Sequence, residues 1–397
     1  MLHRLFACSL LSLTIGCASE VAAPPGAGQS ATKFWEAGAT VRWNEIAREE
    51  TRTGTLNVFT GTRMLTYLSL AQYDAAVAAK QARDGGGHPS IAGAVGGASA
   101  ALLSAPPFFP GRAAFFEEQL DLQQAGSPWP GEAQDDFAAG EAIGRSVAAA
   151  VLARAASDGF TPSNVGVTVP VCPGCWFSAP GLLPVFPRLG EMRPFLLTSG
   201  DQFRPGPPPA FGSPAFLSAL AEVRRFSDNR TAEQDAFAKF WALPNGYAVI
   251  PAYNYQLASE EIVQFHLDEL RAAHALALMG MAAMDGFIAC HDAKYTYWLI
   301  RPSQADPGIT LSVPLPNFPA YPSNHACITG ASMAVLASLF PSDAARLNRL
   351  ADDAALSRVV GGIHYRFDGD VGLALGRQVA GWAIQTDVNG GVVFVIE

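Results

Sequence analysis

Three short segments in the last third of the chain carry cationic and imidazole side chains at spacings that suit anion chemistry. The first contains Lys294 and Arg301, seven residues apart, with Pro302 directly after. Seven residues correspond to two turns of an α-helix, so a helix here would place both cations on one face. Because proline disfavours helical backbone in the residue before it, the helix is predicted to end near Arg301.

The second segment, Pro322-Ser323-Asn324-His325, precedes a long run of small and apolar residues that predicts a helix. Proline suits the start of a helix, and the free N–H groups of a first turn attract anions together with the helix dipole. Ser323 adds a hydroxyl group, and His325 adds a side chain that can move protons near neutral pH. The segment therefore predicts a wall of an anion site.

The third segment contains Arg358, Gly362, His364 and Asp368. A planar guanidinium can donate to two oxygens of one oxyanion. His364 can act as a nucleophile or a metal ligand through one ring nitrogen if an acceptor fixes the other, and Asp368 is the candidate acceptor. Gly362 leaves room for close backbone approach. We therefore expect a second cationic wall with a reactive imidazole.

In this order, the three segments resemble the signature of the type 2 phosphatidic acid phosphatase and vanadium haloperoxidase superfamily, in its bacterial haloperoxidase-like branch. The pattern is Lys-x6-Arg-Pro, then Pro-Ser-x-His, then Ser-Arg-x3-Gly-x-His-x3-Asp. The resemblance implies a vanadate or phosphate ion held by Lys294, Arg301, Ser323, Asn324, Arg358 and His364. It also implies that His325 is the acid–base group and that His364, supported by Asp368, bonds the vanadium or phosphorus atom.

Two positions depart from the superfamily pattern. Asn324 stands where glycine is usual, so it keeps the backbone N–H but adds a polar side chain, which we expect at the pocket mouth. His291, three residues before Lys294, stands where haloperoxidase-like members tend to carry tryptophan. Phe318, five residues before Ser323, agrees with the chloroperoxidases. We expect His291 and Phe318 in the pocket wall.

The resemblance is compatible with two reactions at the same cage of anion-binding residues. As a vanadium-dependent haloperoxidase, the chain would bind vanadate at His364 as its cofactor and use hydrogen peroxide to oxidise halide. As an acid phosphatase, it would need no cofactor and would hydrolyse phosphoesters through a phosphohistidine at His364. Chain length and the run around Phe318 favour the haloperoxidase. The phosphatase is the alternative, and a non-catalytic oxyanion-binding protein is a remote third hypothesis.

The composition indicates a globular protein whose partners are small molecules. Of its 397 residues, 49% are hydrophobic and 15% are charged, far from the composition of disordered chains. The net charge of −9 argues against a nucleic-acid partner, because binding to a phosphate backbone needs a basic surface. The oligomeric state cannot be inferred from the sequence.

Helical periodicity and alanine-rich runs predict an all-α domain over residues 33–397, and the resemblance implies a large helical bundle of the vanadium chloroperoxidase and acid phosphatase type. The stretch 274–290 is apolar enough for a membrane span, but His274 and Asp285 within it favour a buried core helix. Residues 161–214 are predicted to be an ordered irregular excursion over the core. The predicted helices cover residues 34–50, 61–81, 91–104, 112–124, 131–156, 214–226, 232–242, 260–298, 323–340, 344–357 and 367–385.

The N-terminus is typical of a bacterial export signal. Residues 1–17 combine a weakly basic start with a short apolar run and are predicted to be a signal peptide. The sequence before Cys17 resembles a lipobox, so either Cys17 is lipidated, which would be the one membrane contact, or the signal is cleaved in the ordinary way. Residues 18–32 are predicted to be a flexible tether. We expect an exported protein, either periplasmic or lipid-anchored to the envelope.

Four of the six cysteines lie outside the signal region. Cys172 and Cys175 could form a local disulfide in an oxidising compartment. Cys290 and Cys327 lie beside the site segments, and they are either bonded to each other or free and buried. The sequence leaves both alternatives open.

Overall fold

The computed structural model describes residues 38–52, 56–106, 108–127, 132, 134–243, 246–247 and 250–390. The predicted signal peptide and tether lie outside the described residues. The described chain consists of helices joined by turns and irregular segments and contains no β-strand beyond isolated bridges, which confirms the all-α prediction. The described residues, from 38 onwards, form one compact unit.

Thirteen α-helices follow one another within the described residues, and most of their ends fall within a few residues of the predicted ones. They are α1 (Ala39–Arg52), α2 (Val58–Asp84), α3 (Ile91–Ser104), α4 (Ala113–Ala125), α5 (Phe137–Ala156), α6 (Pro214–Asn229), α7 (Ala232–Ala242), α8 (Ile250–Gln264), α9 (Glu269–Tyr297), α10 (Pro302–Ala305), α11 (Asn324–Leu339), α12 (Ala344–Val360) and α13 (Arg366–Gly390).

The prediction of one helix over residues 260–298 is wrong, because two helices meet there. The chain leaves helical geometry at His266, which lies in the left-handed region at φ 51°. Asp268 then caps α9 by accepting a hydrogen bond from the Arg271 N–H at 2.9 Å. The apolar pattern concealed this break because a capped turn occupies only a few residues.

Helix α9 forms the centre of the bundle and packs against α2, α11 and α13. Its length and composition would suffice to span a membrane, but 94% of its most apolar stretch is buried inside the protein. An evenly apolar helix of this kind is what the interior of a large bundle requires. The prediction of a buried core helix over residues 274–290 is therefore confirmed.

Small residues allow α11 and α13 to pack closely. A Cβ atom at Gly376 would lie 2.7 Å from the Ala331 nitrogen, and one at Gly372 would lie 2.9 Å from the Ser323 carbonyl oxygen. The Ser323 N–H in turn donates to the Asp368 carbonyl oxygen at 2.9 Å. This contact joins the start of α11 to the first turn of α13, and so brings the second and third sequence segments together.

The irregular excursion between α5 and α6, residues 157–213, is attached to α9 by a buried carboxylate. Asp285 accepts hydrogen bonds from three successive backbone N–H groups, at 2.7, 2.7 and 2.9 Å, which belong to Phe195, Leu196 and Leu197. The excursion is thus an ordered covering of the core, as its composition predicted.

The four cysteines of the domain are in two states. Cys172 and Cys175 form the disulfide that their spacing suggested. Cys290 and Cys327 are free and buried, so of the two alternatives the unbonded one holds. The Cys290 thiol donates to the Pro322 carbonyl oxygen at 3.6 Å, directly beneath the start of α11.

Candidate active site

The two cations of the first segment do not lie on one helix face. Helix α9 ends before Trp298, whose φ is 50°, and Arg301 follows in extended backbone. Pro302 begins α10 instead of ending a helix, so the predicted geometry is wrong at both points. The turn at Trp298 nevertheless brings the cations together, since Lys294 and Arg301 lie 5.2 and 5.1 Å from the ring centre of Phe318.

Lys294 is fully buried and donates to three backbone carbonyl groups. Its Nζ lies 3.0 Å from the Pro319 oxygen and 2.8 Å from the Ala320 oxygen, and it also contacts the Pro322 oxygen. Burial lowers the pKa of Lys294 to about 8, and the charge of Arg301 acts in the same direction. In this structure Lys294 therefore holds the backbone before α11 and contributes charge, not a free N–H group, to the site.

Arg301 is fully buried and contacts the reactive histidine. Its Nε donates to the Phe318 carbonyl oxygen at 3.0 Å, and its Nη1 lies 2.7 Å from the Ile363 oxygen and 3.0 Å from His364 Nε2. Its Nη2 is buried and has no partner among the described residues. Because a buried donor without an acceptor is costly, Nη2 is a candidate donor to a bound oxyanion.

Asp368 fixes the tautomer of His364. Its Oδ2 lies 2.8 Å from His364 Nδ1 and accepts the Tyr365 N–H at 3.0 Å. Burial, reinforced by the charge of Arg301, holds the pKa of His364 well below its usual range, and burial raises the pKa of Asp368 to about 7. The pair therefore keeps one proton between Nδ1 and Oδ2, and the lone pair of Nε2 faces the cations.

The start of α11 offers unpaired polar groups. Ser323 occupies the N-cap position, but its hydroxyl makes no capping bond, and Oγ is buried without a partner among the described residues. The free N–H groups of the first turn lie beside it. This combination of a hydroxyl and a helix N-terminus suits an oxyanion.

Asn324 does not stand at the pocket mouth, so that prediction is wrong. The residue is 7% exposed, and its Nδ2 lies 3.0 Å from His291 Nε2, because the imidazole provides an acceptor inside the protein. His291 and Phe318 do lie together, with ring centres 5.6 Å apart. Both line the wall next to the cations.

The C-terminal part of α7 holds the remaining two site residues through backbone carbonyl groups. Arg358 is buried and donates from Nη2 to the Ala238 oxygen at 2.6 Å and from Nε to Ser357 Oγ at 2.9 Å. His325 Nε2 lies 3.1 Å from the Trp241 oxygen. Since a carbonyl only accepts, Nε2 carries the proton and Nδ1 carries the lone pair.

The electrostatic surroundings keep His325 neutral. Burial, followed by the charge of Arg358, holds the pKa of His325 well below its usual range. A neutral ring with an unprotonated Nδ1 can accept a proton from a substrate. His325 is partly exposed, unlike His364, so solvent can reach it.

The sequence did not reveal the backbone groups that position these side chains. The carbonyl oxygens of Phe186, Ala238 and Trp241 each fix a site residue, and the first belongs to the irregular excursion. Every residue type carries a carbonyl group, so no sequence signal could have identified them. Of the predicted side chains, Arg301 and Asp368 contact His364 directly, and the charges of Lys294 and Arg358 also act on it.

The fold and the site combine a helical bundle with buried cations and histidines, an arrangement suited to an oxyanion. Residues 274–390 match the family model of the PAP2 superfamily, in agreement with the resemblance of the three segments. No curated protein sequence matches the chain.

Solved structures of bacterial vanadium enzymes share the fold. A structure described as the first bacterial vanadium-dependent iodoperoxidase is 23% identical, with a TM-score of 0.74 over 90% of this chain and 97% of that chain. The apo and holo types of a bacterial vanadium-dependent chloroperoxidase are each 16% identical over 85% of this chain. Their TM-scores are 0.68 and 0.65, over 96% and 94% of those chains. The predicted type of bundle is therefore confirmed.

Proposed function

We propose that the chain is a vanadium-dependent haloperoxidase-like enzyme, in which vanadate binds to His364 Nε2 and serves with hydrogen peroxide to oxidise halide. The observation that carries this proposal is that two buried donors, Arg301 Nη2 and Ser323 Oγ, have no partner among the described residues, while Arg301 itself contacts His364. Similarity over 97% of the length of a vanadium-dependent iodoperoxidase supports vanadate as the oxyanion.

The residues present fit vanadate by their chemistry. Its oxygens would accept hydrogen bonds from Arg301, Arg358, Ser323 and the Asn324 N–H, and the charge of Lys294 would balance the anion. A neutral imidazole is a suitable ligand for a transition metal, and Asp368 would increase the basicity of His364 as its hydrogen-bonded partner. When bound, vanadate supplies a Lewis acid that activates peroxide towards attack by halide.

His325 would move the proton in this reaction. Because the Trp241 carbonyl holds the proton at Nε2, the lone pair of Nδ1 is available to accept a proton from hydrogen peroxide. Burial, followed by the charge of Arg358, opposes a second proton on the ring and lowers its pKa, so His325 is in its basic form before substrate enters. Phe318 and His291 would exclude water from the opposite wall.

Reconstitution tests the proposal directly. Protein treated with orthovanadate should brominate a dye in the presence of bromide and hydrogen peroxide, and His364→Ala should abolish this activity. His274→Ala is the matched control, because His274 pairs with Asp387 at 2.7 Å outside the site. If reconstituted protein brominates nothing but hydrolyses p-nitrophenyl phosphate, the haloperoxidase proposal fails. If His364→Ala keeps full activity, the site assignment fails.

An acid phosphatase is the second candidate, and the His364–Asp368 pair favours it. With Nδ1 held by Asp368, His364 Nε2 could attack phosphorus and displace an alcohol, and water would then cleave the phosphohistidine to release phosphate. The leaving alcohol needs a proton, however, and His325 has an unprotonated Nδ1 in this structure. The tautomer that the Trp241 carbonyl implies for His325 thus suits a base in the first step better than an acid.

We further propose that the protein works outside the cytoplasm, as its N-terminal sequence suggests. The Cys172–Cys175 disulfide supports an oxidising compartment. Fractionation of cells with detection of the mature N-terminus would test this proposal. Recovery of the uncleaved chain in the cytosol would contradict it, and a lipid on Cys17 would identify the anchored form.

A further inference from the structure

His291 and Asn324 form a buried hydrogen-bonded pair that the proposed reaction does not use. His291 is fully buried, with Nδ1 3.3 Å from the Phe186 carbonyl oxygen and Nε2 3.0 Å from Asn324 Nδ2. The pair connects the irregular excursion to the first residue of α11. It therefore lies between a fixed backbone group and the cage.

The Phe186 carbonyl determines how this pair is oriented. A carbonyl oxygen only accepts, so the proton of a neutral His291 ring must be on Nδ1, which leaves Nε2 as an acceptor. Burial, followed by the charge of Lys294, keeps the ring neutral by lowering its pKa. Asn324 must then donate with Nδ2 and turn Oδ1 away from His291.

The Oδ1 atom of Asn324 is buried and has no hydrogen-bond partner among the described residues. The neighbouring hydroxyl of Ser323 and Nη2 of Arg301 are buried and unpaired as well. Buried polar atoms are rarely left without partners, so the amide oxygen next to Ser323 at the start of α11 is a candidate contact for the ligand that Ser323 and Arg301 would bind. The hydroxyl and the guanidinium can donate to oxygen, whereas the amide oxygen can only accept.

We infer that Asn324 makes the cage selective for an oxyanion that carries a hydroxyl group. Its Oδ1 accepts the hydrogen bond of a protonated ligand oxygen, as in hydrogen phosphate or dihydrogen vanadate. An oxyanion without a proton, such as sulfate or molybdate, would place a bare oxygen against Oδ1 and be repelled. His291 is the positioning residue for Asn324. The inference rests on the cage of the proposed function but not on its redox chemistry.

Matched pairs of anions separate this effect from the size of the ligand. At pH 7, phosphate carries a proton and sulfate does not, although the two are similar in size, and vanadate and molybdate form a second such pair. Calorimetric titration of the whole chain gives the dissociation constants of all four anions. Wild-type protein should bind the protonated member of each pair more tightly.

Two variants test the residues named. In Asn324→Gly, which restores the usual superfamily residue, the phosphate-to-sulfate preference should fall by about tenfold, as expected for one hydrogen bond to a charged group. In His291→Phe, the preference should fall although Asn324 is retained, because its amide is free to turn. Asn254→Ala is the matched control, since Asn254 is also buried, donates to Ser332 Oγ at 3.0 Å and has an unpaired Oδ1, but lies on α8.

The outcomes are distinct. Equal affinity of the wild type for phosphate and sulfate, or an unchanged preference in Asn324→Gly, would overturn the inference. Loss of preference in Asn254→Ala would also overturn it, because the effect would not be local. If the wild type binds no anion, the cage and the proposed function both fail. If it discriminates between the anions as described but does not brominate, only the haloperoxidase proposal fails.

Discussion

At the scale of the residue, three buried or half-buried histidines are oriented in the same way. In each, an acceptor fixes the proton on one ring nitrogen: Asp368 for His364, the Trp241 carbonyl for His325 and the Phe186 carbonyl for His291. The other nitrogen is thereby left as an acceptor, which contacts Arg301 in His364 and Asn324 in His291. The neighbouring cations and burial keep all three rings neutral. The chemistry of the site is therefore set by tautomers as much as by residue types.

The low pKa of His291 predicts that the free energy of unfolding decreases as the pH is lowered. In the unfolded chain this histidine gains a proton below about pH 6.5, whereas in the folded protein it does not, so acid favours the unfolded state. As the pH falls from 7 to 5, the free energy of unfolding of the wild type should decrease relative to His291→Phe by about 1.4 kcal/mol per pH unit below the unfolded pKa. Urea denaturation in phosphate-free buffer at each pH measures the free energy of unfolding of both proteins. Parallel pH profiles would mean that the folded protein protonates the ring.

The side-chain types of the site could be predicted from the sequence, but their directions could not. Lys294 was expected to donate to an oxyanion and instead donates to three carbonyl groups. Asn324 was expected at the pocket mouth and instead points to His291. Both directions depend on partners more than 20 residues away in sequence, which a motif does not contain.

At the scale of the element, the contact between α11 and α13 determines whether the cage closes. Gly376 has no side chain where α13 crosses α11, and the Ser323 N–H reaches the Asp368 carbonyl at the same crossing. Glycine inside a helix costs roughly 1 kcal/mol relative to alanine. Its presence here is explained by the close approach of the two backbones.

Replacement of Gly376 by alanine should separate α13 from α11. The added methyl would clash with the backbone of α11, so we expect a loss of about 1–3 kcal/mol of stability together with weaker binding of phosphate. Gly381→Ala on the same helix is the control, because a Cβ atom there meets nothing within 4 Å, and it should keep or slightly raise stability. Thermal unfolding measures the stability of each variant, and phosphate titration measures its affinity. Equal effects of the two substitutions would contradict a role for the crossing.

Helix positions were largely predictable from periodicity, whereas breaks within apolar sequence were not. The turn at His266 and the turn at Trp298 both lie in the left-handed region without glycine. Such turns are imposed by tertiary packing and capping, so they leave no local sequence signal. The consequence was one helix predicted where two exist, and Arg301 placed on the wrong element.

At the scale of the whole molecule, segments that are far apart in the sequence meet at the cage. The irregular excursion contributes the Phe186 carbonyl, and α7 contributes two carbonyl groups. The side chains come from α9, α11, α12 and α13 and from the residues just before α10 and α13. Three cations are buried together here, and their mutual repulsion opposes folding. An anion that binds among them should stabilise the entire domain.

Anion binding should therefore raise the melting temperature. A ligand at 100 times its dissociation constant adds about 2.7 kcal/mol to the free energy of unfolding if it binds only the folded state. Vanadate and phosphate should produce this shift in the wild type and in Arg188→Ala, which changes an exposed arginine paired with Glu191. The shift should be lost in Arg301→Ala. Equal shifts in all three proteins would indicate that the anion binds elsewhere.

The carbonyl groups of Ala238 and Trp241 cannot be removed from the site by substituting these residues. They hold Arg358 and His325, but a carbonyl group survives every amino-acid substitution at its own position except through movement of the backbone. Alanine scanning of α7 would thus not reveal these carbonyl groups, because residue 238 is already alanine and Trp241→Ala would report the loss of a buried indole. Replacement of the peptide bond by an ester at the same positions weakens the carbonyl as an acceptor, so only chemical protein synthesis would expose their contribution.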